Sequence, residues 1–575
     1  HIGIATANAN SIIGTAQPGY DTTNEFTYWQ NGSKTNNVSY GATFTGGDVI
    51  GVAFDADAGS LTFYKNGVSQ GVNSTGLTGT YFPFIPGYPG YTTTVNFGQR
   101  PWSYPVSGYK ALCTQNFDTP LIADPSTAFD AVAYSGSGAA RSISLGFSPD
   151  LVWTKQRNGT SWHYLIDTVR GNTVALFSNT NNGDSANNSQ ILTAFNSDGY
   201  SLGNDTAVNS TNNTYIAWAW DAGANSSKTF TVKVVSDSGN KYRFDDFGTS
   251  AVTLDLEEGS TYVFDQSDSS NSGHPLRFST TSNGTHGGGS EYTTGVTATG
   301  TPGSAGAKTT IVVAASAPTL YYYCSAHSGM GGQANTNSTA GASNFDGDVQ
   351  ATVKANPTAG FSIVKWTNNG NNTPSSHRWG HQLNVIPDLV ITKRLNNTGD
   401  WAVYSEVFSN PVRDELYLNT SGAKATAGVD LYHRNSTTVG IRAGSIGSSG
   451  DTHIAYCFAA VAGYSAFGSF ESTGDTDGPF VYLGFRPALI FCKSMDSASR
   501  NWMVFDSQRA TDNPIDAHLN WENNSAEGSY NACDFLSNGF KVRATSLQEL
   551  GIPNETILYG AWAENPFSAN GGLAR

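Results

Sequence analysis

Residues 320–330 read Leu320-Tyr321-Tyr322-Tyr323-Cys324-Ser325-Ala326-His327-Ser328-Gly329-Met330, and His274 stands well before them in Gly273-His274-Pro275-Leu276. A distant His followed by Cys-x2-His-x2-Met offers a soft thiolate, two imidazoles and a weak thioether. That is the donor set of a type-1 copper site, with Cys324, His274 and His327 as ligands and Met330 in the axial place. Met330 is one of only 3 methionines in the chain, so its arrival at that position is informative. Other chemistry is poorly supplied. His377 and His381 flank Arg378-Trp379-Gly380 with no Glu between them, and read as surface or interface residues. Asp55 and Asp57 flank a turn, which turn chemistry explains. Glu257 and Glu258 are adjacent, so on a strand they face opposite ways and form no acid–base pair. There is no GxSxG, Walker, HExxH or dinucleotide fingerprint, and no enzymatic activity is expected.

Presenting Cys324, His327 and Met330 to one ion needs a strand ending in a tight loop, with a neighbouring strand to bring His274. The chain has that character throughout. It has 575 residues, 13% charged and 12% aromatic, with 64 Gly. Turn residues recur between short runs rich in Val, Ile, Tyr, Phe and Trp, so the expected class is all-β, a row of β-sandwiches. The formal net charge of -15 excludes general nucleic-acid binding. No apolar run reaches the length of a membrane span. Ile454–Phe467 comes nearest and reads as a buried strand with a turn. The five cysteines are scattered and make no disulfide framework. Asn-x-Ser/Thr at Asn31, Asn73, Asn158 and Asn337 is expected by chance in so polar a chain. The chain opens on His1, and its true start is expected upstream.

Residues 1–110 hold a hairpin, Asp48–Asp55 followed by Leu61–Tyr64 with Asn66-Gly67 as a primed turn. With Tyr81–Phe84 and Asn96–Gly98 this segment resembles the SPRY domain. The resemblance implies a bent β-sandwich whose loops bind partners, incomplete here because the earliest strands would precede Ile2. Tyr88, Tyr91, Trp102 and Tyr109 sit among Gly and Pro. They would suit glycan binding, but covering domain seams is the favoured reading.

The rest contains a repeat. Pro149–Lys155, Pro387–Lys393 and Pro487–Lys493 share one pattern, followed by Trp162, Trp401 and Trp502. The copies close on the aromatic strands Tyr215–Trp220, His453–Phe458 and Tyr559–Trp562. Pro is expected to end an edge, Trp to fill a core and Lys to cap a strand end. Three jelly-roll-like sandwiches follow, at 111–226, 340–460 and 461–575. They resemble a domain of unknown function found beside SPRY-like domains in tail-fibre-like and other virion proteins of marine bacteriophages, whose C-termini the ending Ala561–Phe567, Ala574-Arg575 resembles. Between the first two copies, residues 227–339 resemble a cupredoxin, a Greek-key sandwich. That resemblance implies copper on His274, Cys324, His327 and Met330; inside a multidomain structural chain copper is expected to act as a clip that stiffens the domain, since a ligand bound only by the folded state stabilises it. His286 has no counterpart in the resemblance. The implied role is a structural virion appendage protein, a tail fibre or capsid decoration, for assembly and host-surface recognition. Its implied partners are copies of itself, a trimer or larger array, other virion proteins, and a host cell-surface glycan or protein. The implied location is the virion surface. The alternatives are a subunit of a bacterial or archaeal surface filament or adhesin, and a copper redox protein.

Overall fold

The structure, a computed structural model, describes residues 1–567 except 7–8, 10–17, 80, 87–91, 114–115, 117–118, 186–187, 225–226, 337–339 and 547–548. Tyr88, Tyr91, Asn337 and Ala574-Arg575 lie outside the described residues. Strands dominate, as expected of an all-β chain. The α-helices among the described residues are single turns, Thr206–Asn209 and Ala443–Ile446. The chain forms two compact units, His1–Asp118 and Thr119–Arg575.

In the first unit, Ile50–Asp55, Ser60–Lys65 and Val68–Ser74 form a three-stranded meander. Asn66 (φ 49°) and Gly67 (φ 82°) both take the left-handed conformation that a primed turn demands. A five-stranded sheet accompanies it, and Ile4, Tyr28, Leu61, Phe63 and Leu77 make a small core. Trp102 and Tyr109 are half-buried.

In the second unit every sheet stays within one of the segments 111–226, 227–339, 340–460 and 461–575. Each repeat has a main sheet in which the motif strand lies between the aromatic closing strand and the strand that follows the motif. The motif strands are Leu151–Gln156, Leu389–Arg394 and Phe485–Ser494. In all three the register is the same: Leu151 faces Trp220, Leu389 faces Phe458, and Leu489 faces Trp562.

The repeats are not separate sandwiches in a row. Along Leu151–Gln156, Val152 enters the repeat's own sandwich core, while Leu151 and Trp153 face the other way. In a lone sandwich that second face meets water. Here it joins a single core drawn from all three repeats, with Trp153, Trp218, Trp220, Trp401, Tyr456, Phe458, Phe491, Trp502, Trp521 and Trp562 among its members. The equivalent rings Trp220, Phe458 and Trp562 meet each other, with centroids 6.3, 5.4 and 5.3 Å apart. The void they line is about 10 Å³, room for one water molecule at most. One chain thus builds a pseudo-threefold body.

Polar contacts repeat the cycle. Trp401 Nε1 donates to Phe177 O (2.9 Å) and Trp502 Nε1 to Tyr417 O (3.0 Å), each reaching the preceding repeat. The first repeat does this with His163, not with Trp162. His163 pairs with Lys155, the register place of the two tryptophans, whereas Trp162 is 41% exposed. Trp153 Nε1 donates to His163 Nδ1 (3.0 Å), so Nε2 carries the proton and donates to Asn520 O (3.0 Å) in the third repeat. A one-residue slip turns a strand side chain to the other face, which is why the sequence match misplaces this residue.

The motif lysines cap strand ends, as their pattern implies, but from within. Lys155 Nζ donates to Gly159 O (3.0 Å), Lys393 Nζ to Gly399 O (2.8 Å), and Lys493 Nζ to Arg500 O (3.0 Å). His377 and His381, expected at the surface, are fully buried. His377 packs edge-on to Trp379, which stacks on Trp366 at 3.8 Å, and its Nδ1 meets Ile441 O at 2.6 Å. Burial lowers the pKa of both, that of His381 to about 4.

The insert is a two-sheet sandwich. Its five-stranded sheet runs Asn240–Phe244, Lys228–Ser236, Thr261–Asp265, Lys308–Val312, Val296–Thr299, and its four-stranded sheet runs Leu254–Asp255, Gly332–Asn335, Leu320–Cys324, Leu276–Ser279. Parallel pairing of Lys228–Ser236 with Thr261–Asp265, and of Leu254–Asp255 with Gly332–Asn335, requires connections that cross between sheets.

Candidate metal centre

Leu320–Cys324 alternates Leu320, Tyr322 and Cys324 toward the insert's core, so the strand delivers its last side chain, Cys324, at a sheet end. Leu276 pairs with Cys324 across the neighbouring strand, which places His274, two residues earlier, beside the sulfur. The His274 carbonyl accepts from Tyr242 Oη and Gln266 Nε2, both at 2.8 Å, and these bonds fix the backbone that carries the imidazole. After Cys324 the chain turns immediately, and Ser325 N donates to Pro275 O (3.0 Å). That turn returns His327 to the same point.

Cys324 Sγ lies 3.9 Å from His274 Nδ1 and 3.8 Å from His327 Nδ1. All three donor atoms fall within 4.8 Å of one another, the one such group of His, Cys, Asp and Glu among the described residues. Metal–sulfur and metal–nitrogen bonds of about 2.3 and 2.0 Å, opened to a trigonal angle, separate S from N by about 3.7 Å. The residues therefore fit a small, thiophilic ion. Cys324 is buried, His274 half-buried and His327 exposed, so the group opens to solvent at one edge. Burial, then the neighbouring His327, lowers the pKa of His274, which favours the neutral imidazole a metal needs. Burial, and then the Cys324 sulfur beside it, raise that of Tyr242. Met330 is fully buried in the hydrophobic cluster that contains Cys324.

Sequence reasoning missed the residues that hold the ligand loop. Asn283, left-handed at φ 60°, donates from Nδ2 to Ser328 Oγ (2.8 Å), and its Oδ1 accepts from Gly329 N (2.8 Å). His286 Nε2 lies 3.0 Å from Cys324 O, and Lys241 Nζ donates to Gly329 O. The Asn283-Gly284 pair was the available signal, since it marks a tight turn. Such outer partners orient ligands and tune a metal.

Comparison with known proteins places these parts. A family model described as the SPRY domain matches residues 1–100. Over 78 residues the chain is 38% identical to the E3 ubiquitin-protein ligase RKP of Arabidopsis thaliana, covering 13% of this chain and 6% of that protein. Over 71 residues it is 38% identical to Ran-binding protein 10 of Danio rerio, and 37% identical to Ran-binding protein 9 of Homo sapiens, 12% of this chain in each case. The chain spans 12% and 10% of the length of those two relatives. No solved structure matches. A second family model, described as a domain of unknown function (DUF7483), matches residues 124–244 and 334–566 and passes over most of the insert. That match takes in all three repeats at once, as the shared core does, and covers more than half of the sequence; the chain belongs to the DUF7483 family.

Proposed function

We propose that this chain is a structural virion appendage protein, a tail fibre or capsid decoration, which carries a partner-binding unit on a rigid body. The observation behind this reading is the common core. Three repeats spend the second face of each main sheet on one another and enclose almost no free volume. Such a body is suited to bearing load. SPRY domains mediate protein–protein interaction, and the first unit supplies one. In this reading it contacts neighbouring virion proteins or a host-surface protein or glycan, and copies of the chain assemble as a homo-oligomer on the particle surface. His274, Cys324 and His327, followed in sequence by Met330, would hold copper, which would act there as a soft Lewis acid joining the strand end at Cys324 to the loops that carry His274 and His327. Its value is stiffness, because a ligand held only by the folded state stabilises that state.

The test is to raise antibodies against the purified chain and apply them to phage particles grown on a marine host that carries the sequence. Labelling at a tail or capsid appendage, with blocked adsorption, is the expected result. Particles that lack the chain overturn the reading. Mass photometry of the purified protein checks self-association, and a lone monomer at high concentration overturns that part.

A further inference from the structure

Where the insert meets the first two repeats, three side chains from three different segments converge. Lys354 stands on Ala351–Asn356 of the second repeat, Asp150 just before Leu151–Gln156 of the first, and Glu257 just after Leu254–Asp255 of the insert. Lys354 Nζ lies 2.6 Å from Glu257 Oε1 and 3.6 Å from Asp150 Oδ1. All three are buried, at 8, 8 and 5% exposure. Asp150 is held in place by Thr168 Oγ1, which donates to Oδ1 (2.7 Å), and by Ala222 N, which donates to Oδ2 (2.9 Å). Asp221 stands beside Asp150 and accepts from Asn356 Nδ2 (2.9 Å).

An ordinary ion pair does not account for this group. One ammonium faces two buried carboxyls, with the half-buried Asp221 beside Asp150, and ionising both buried acids would leave a charge uncompensated away from water. The second repeat shows what the aspartate needs. Asp388 occupies the place of Asp150 and anchors the same backbone turn, accepting from Ala460 N at 2.7 Å. Among the described residues it has no ion-pair partner. Pinning the turn therefore does not require Lys354.

We propose that Lys354 and Asp150 condense to an intramolecular isopeptide bond, with Glu257 carrying the protons. Glu257 takes a proton from the Lys354 ammonium through their 2.6 Å contact and leaves a neutral amine. The amine attacks Cγ of the protonated Asp150 carboxyl. The Nζ–Cγ bond forms, the Cγ–OH bond breaks, one water leaves, and Glu257 is left protonated. Charge and atoms balance without any co-reactant. Burial supports the electrophile: it raises the pKa of Asp150 and so favours the protonated carboxyl, when a carboxylate would repel attack. The bond would tie the first repeat to the second beside the root of the insert.

The test is intact-mass spectrometry of the full chain under denaturing conditions, with peptide mapping. The expected mass is one water below that of the sequence, with a branched peptide joining Asp150 to Lys354. Lys354→Arg and Asp150→Ala should restore the full mass. Glu257→Gln should restore it while keeping the tryptophan fluorescence of the folded body, which separates loss of the shuttle from loss of the fold. The full sequence mass in the unaltered chain, or a water loss mapped elsewhere, overturns the proposal whatever the variants do.

Discussion

Lys155, Lys393 and Lys493 give the three-repeat body an unusual pH dependence. Burial pulls each ammonium from 10.5 down to about 8. A lysine whose folded pKa is lowered binds fewer protons folded than unfolded, so stability rises with pH between the two values. From pH 7.5 to 9 each lysine contributes about 1.2 kcal/mol, and the three about 3.5 kcal/mol. Other buried groups oppose them. Cys457, pushed up to about 12, with Cys492 and Cys533, also raised, stay protonated when the unfolded thiols begin to ionise at 9.0. Buried tyrosines such as Tyr134 and Tyr404 act in the same direction. Glu522, raised to about 7, sheds its last protons in this range. Together these remove about 2 kcal/mol and leave a net gain of about 1.5 kcal/mol. The assay is urea unfolding followed by tryptophan fluorescence at pH 7.5, 8.25 and 9. The midpoint should climb across the series. Lys393→Met should lower stability at every pH, since its carbonyl partners lose their donor, and should nearly abolish the climb because it deletes one lysine's contribution. A midpoint that is flat or falling in the unaltered protein, or an unchanged slope in Lys393→Met, refutes the reasoning.

Tyr456 Oη donates to Asp167 Oδ2 at 2.8 Å across a repeat boundary, so Tyr456→Phe should cost about 1.5–3 kcal/mol in urea unfolding, the range of a hydrogen bond to a charged group. Trp401→Ala, which empties part of the shared core, should cost about 3–5 kcal/mol, whereas Trp162→Ala, at an exposed ring, should cost less than about 1 kcal/mol. Equal losses would contradict the assignment of His163, rather than Trp162, as the first repeat's counterpart of Trp401. Purified protein incubated with copper should take up one equivalent with a thiolate charge-transfer band and unfold at higher urea. Cys324→Ser should lose the band, and chelation should reverse the stabilisation; no uptake removes copper from the functional reading.

Local chemistry was legible in the sequence wherever one short segment carries the constraint. Asn66-Gly67 needs two left-handed residues and nothing else, and it makes the turn it signals. Cys324 and His327 lie on one strand end and its loop, so their convergence follows from spacing, and only the register of His274 needed the fold. The shared core was written in the sequence but misread. Tyr215 to Trp220 is apolar at every position, on both faces of a strand, which a sandwich with one wet face does not need. His377 and His381 look polar and loop-bound in isolation. The Trp366–Trp379 stack that covers His377 comes from two strands that pair in different sheets, and no local pattern records that.

The repeats also separate what the fold requires from what has been added to it. Trp220, Phe458 and Trp562 are interchangeable in role, as are His163, Trp401 and Trp502, and they belong to the architecture. The departures are coupled. Trp218 donates to Asp506 (3.0 Å) and Tyr456 to Asp167, but the third pair of equivalent positions is Gly560 and Ser405, with neither the donor nor the buried acid. A Cβ on Gly560 would strike the Phe491 ring, so aromatic packing replaces the hydrogen bond there, and an aspartate without a donor would be a buried charge with less to hold it. The series Asp150, Asp388 and Ala488 departs in another way: one copy alone has gained a buried lysine and a glutamate from another segment. Symmetric packing does not call for that addition, and it falls at the junction where the sandwich of residues 227–339 has been inserted. Chemistry in this chain is therefore expected where the threefold pattern is broken, at Asp150 and in the insert, and not at the positions the three repeats share.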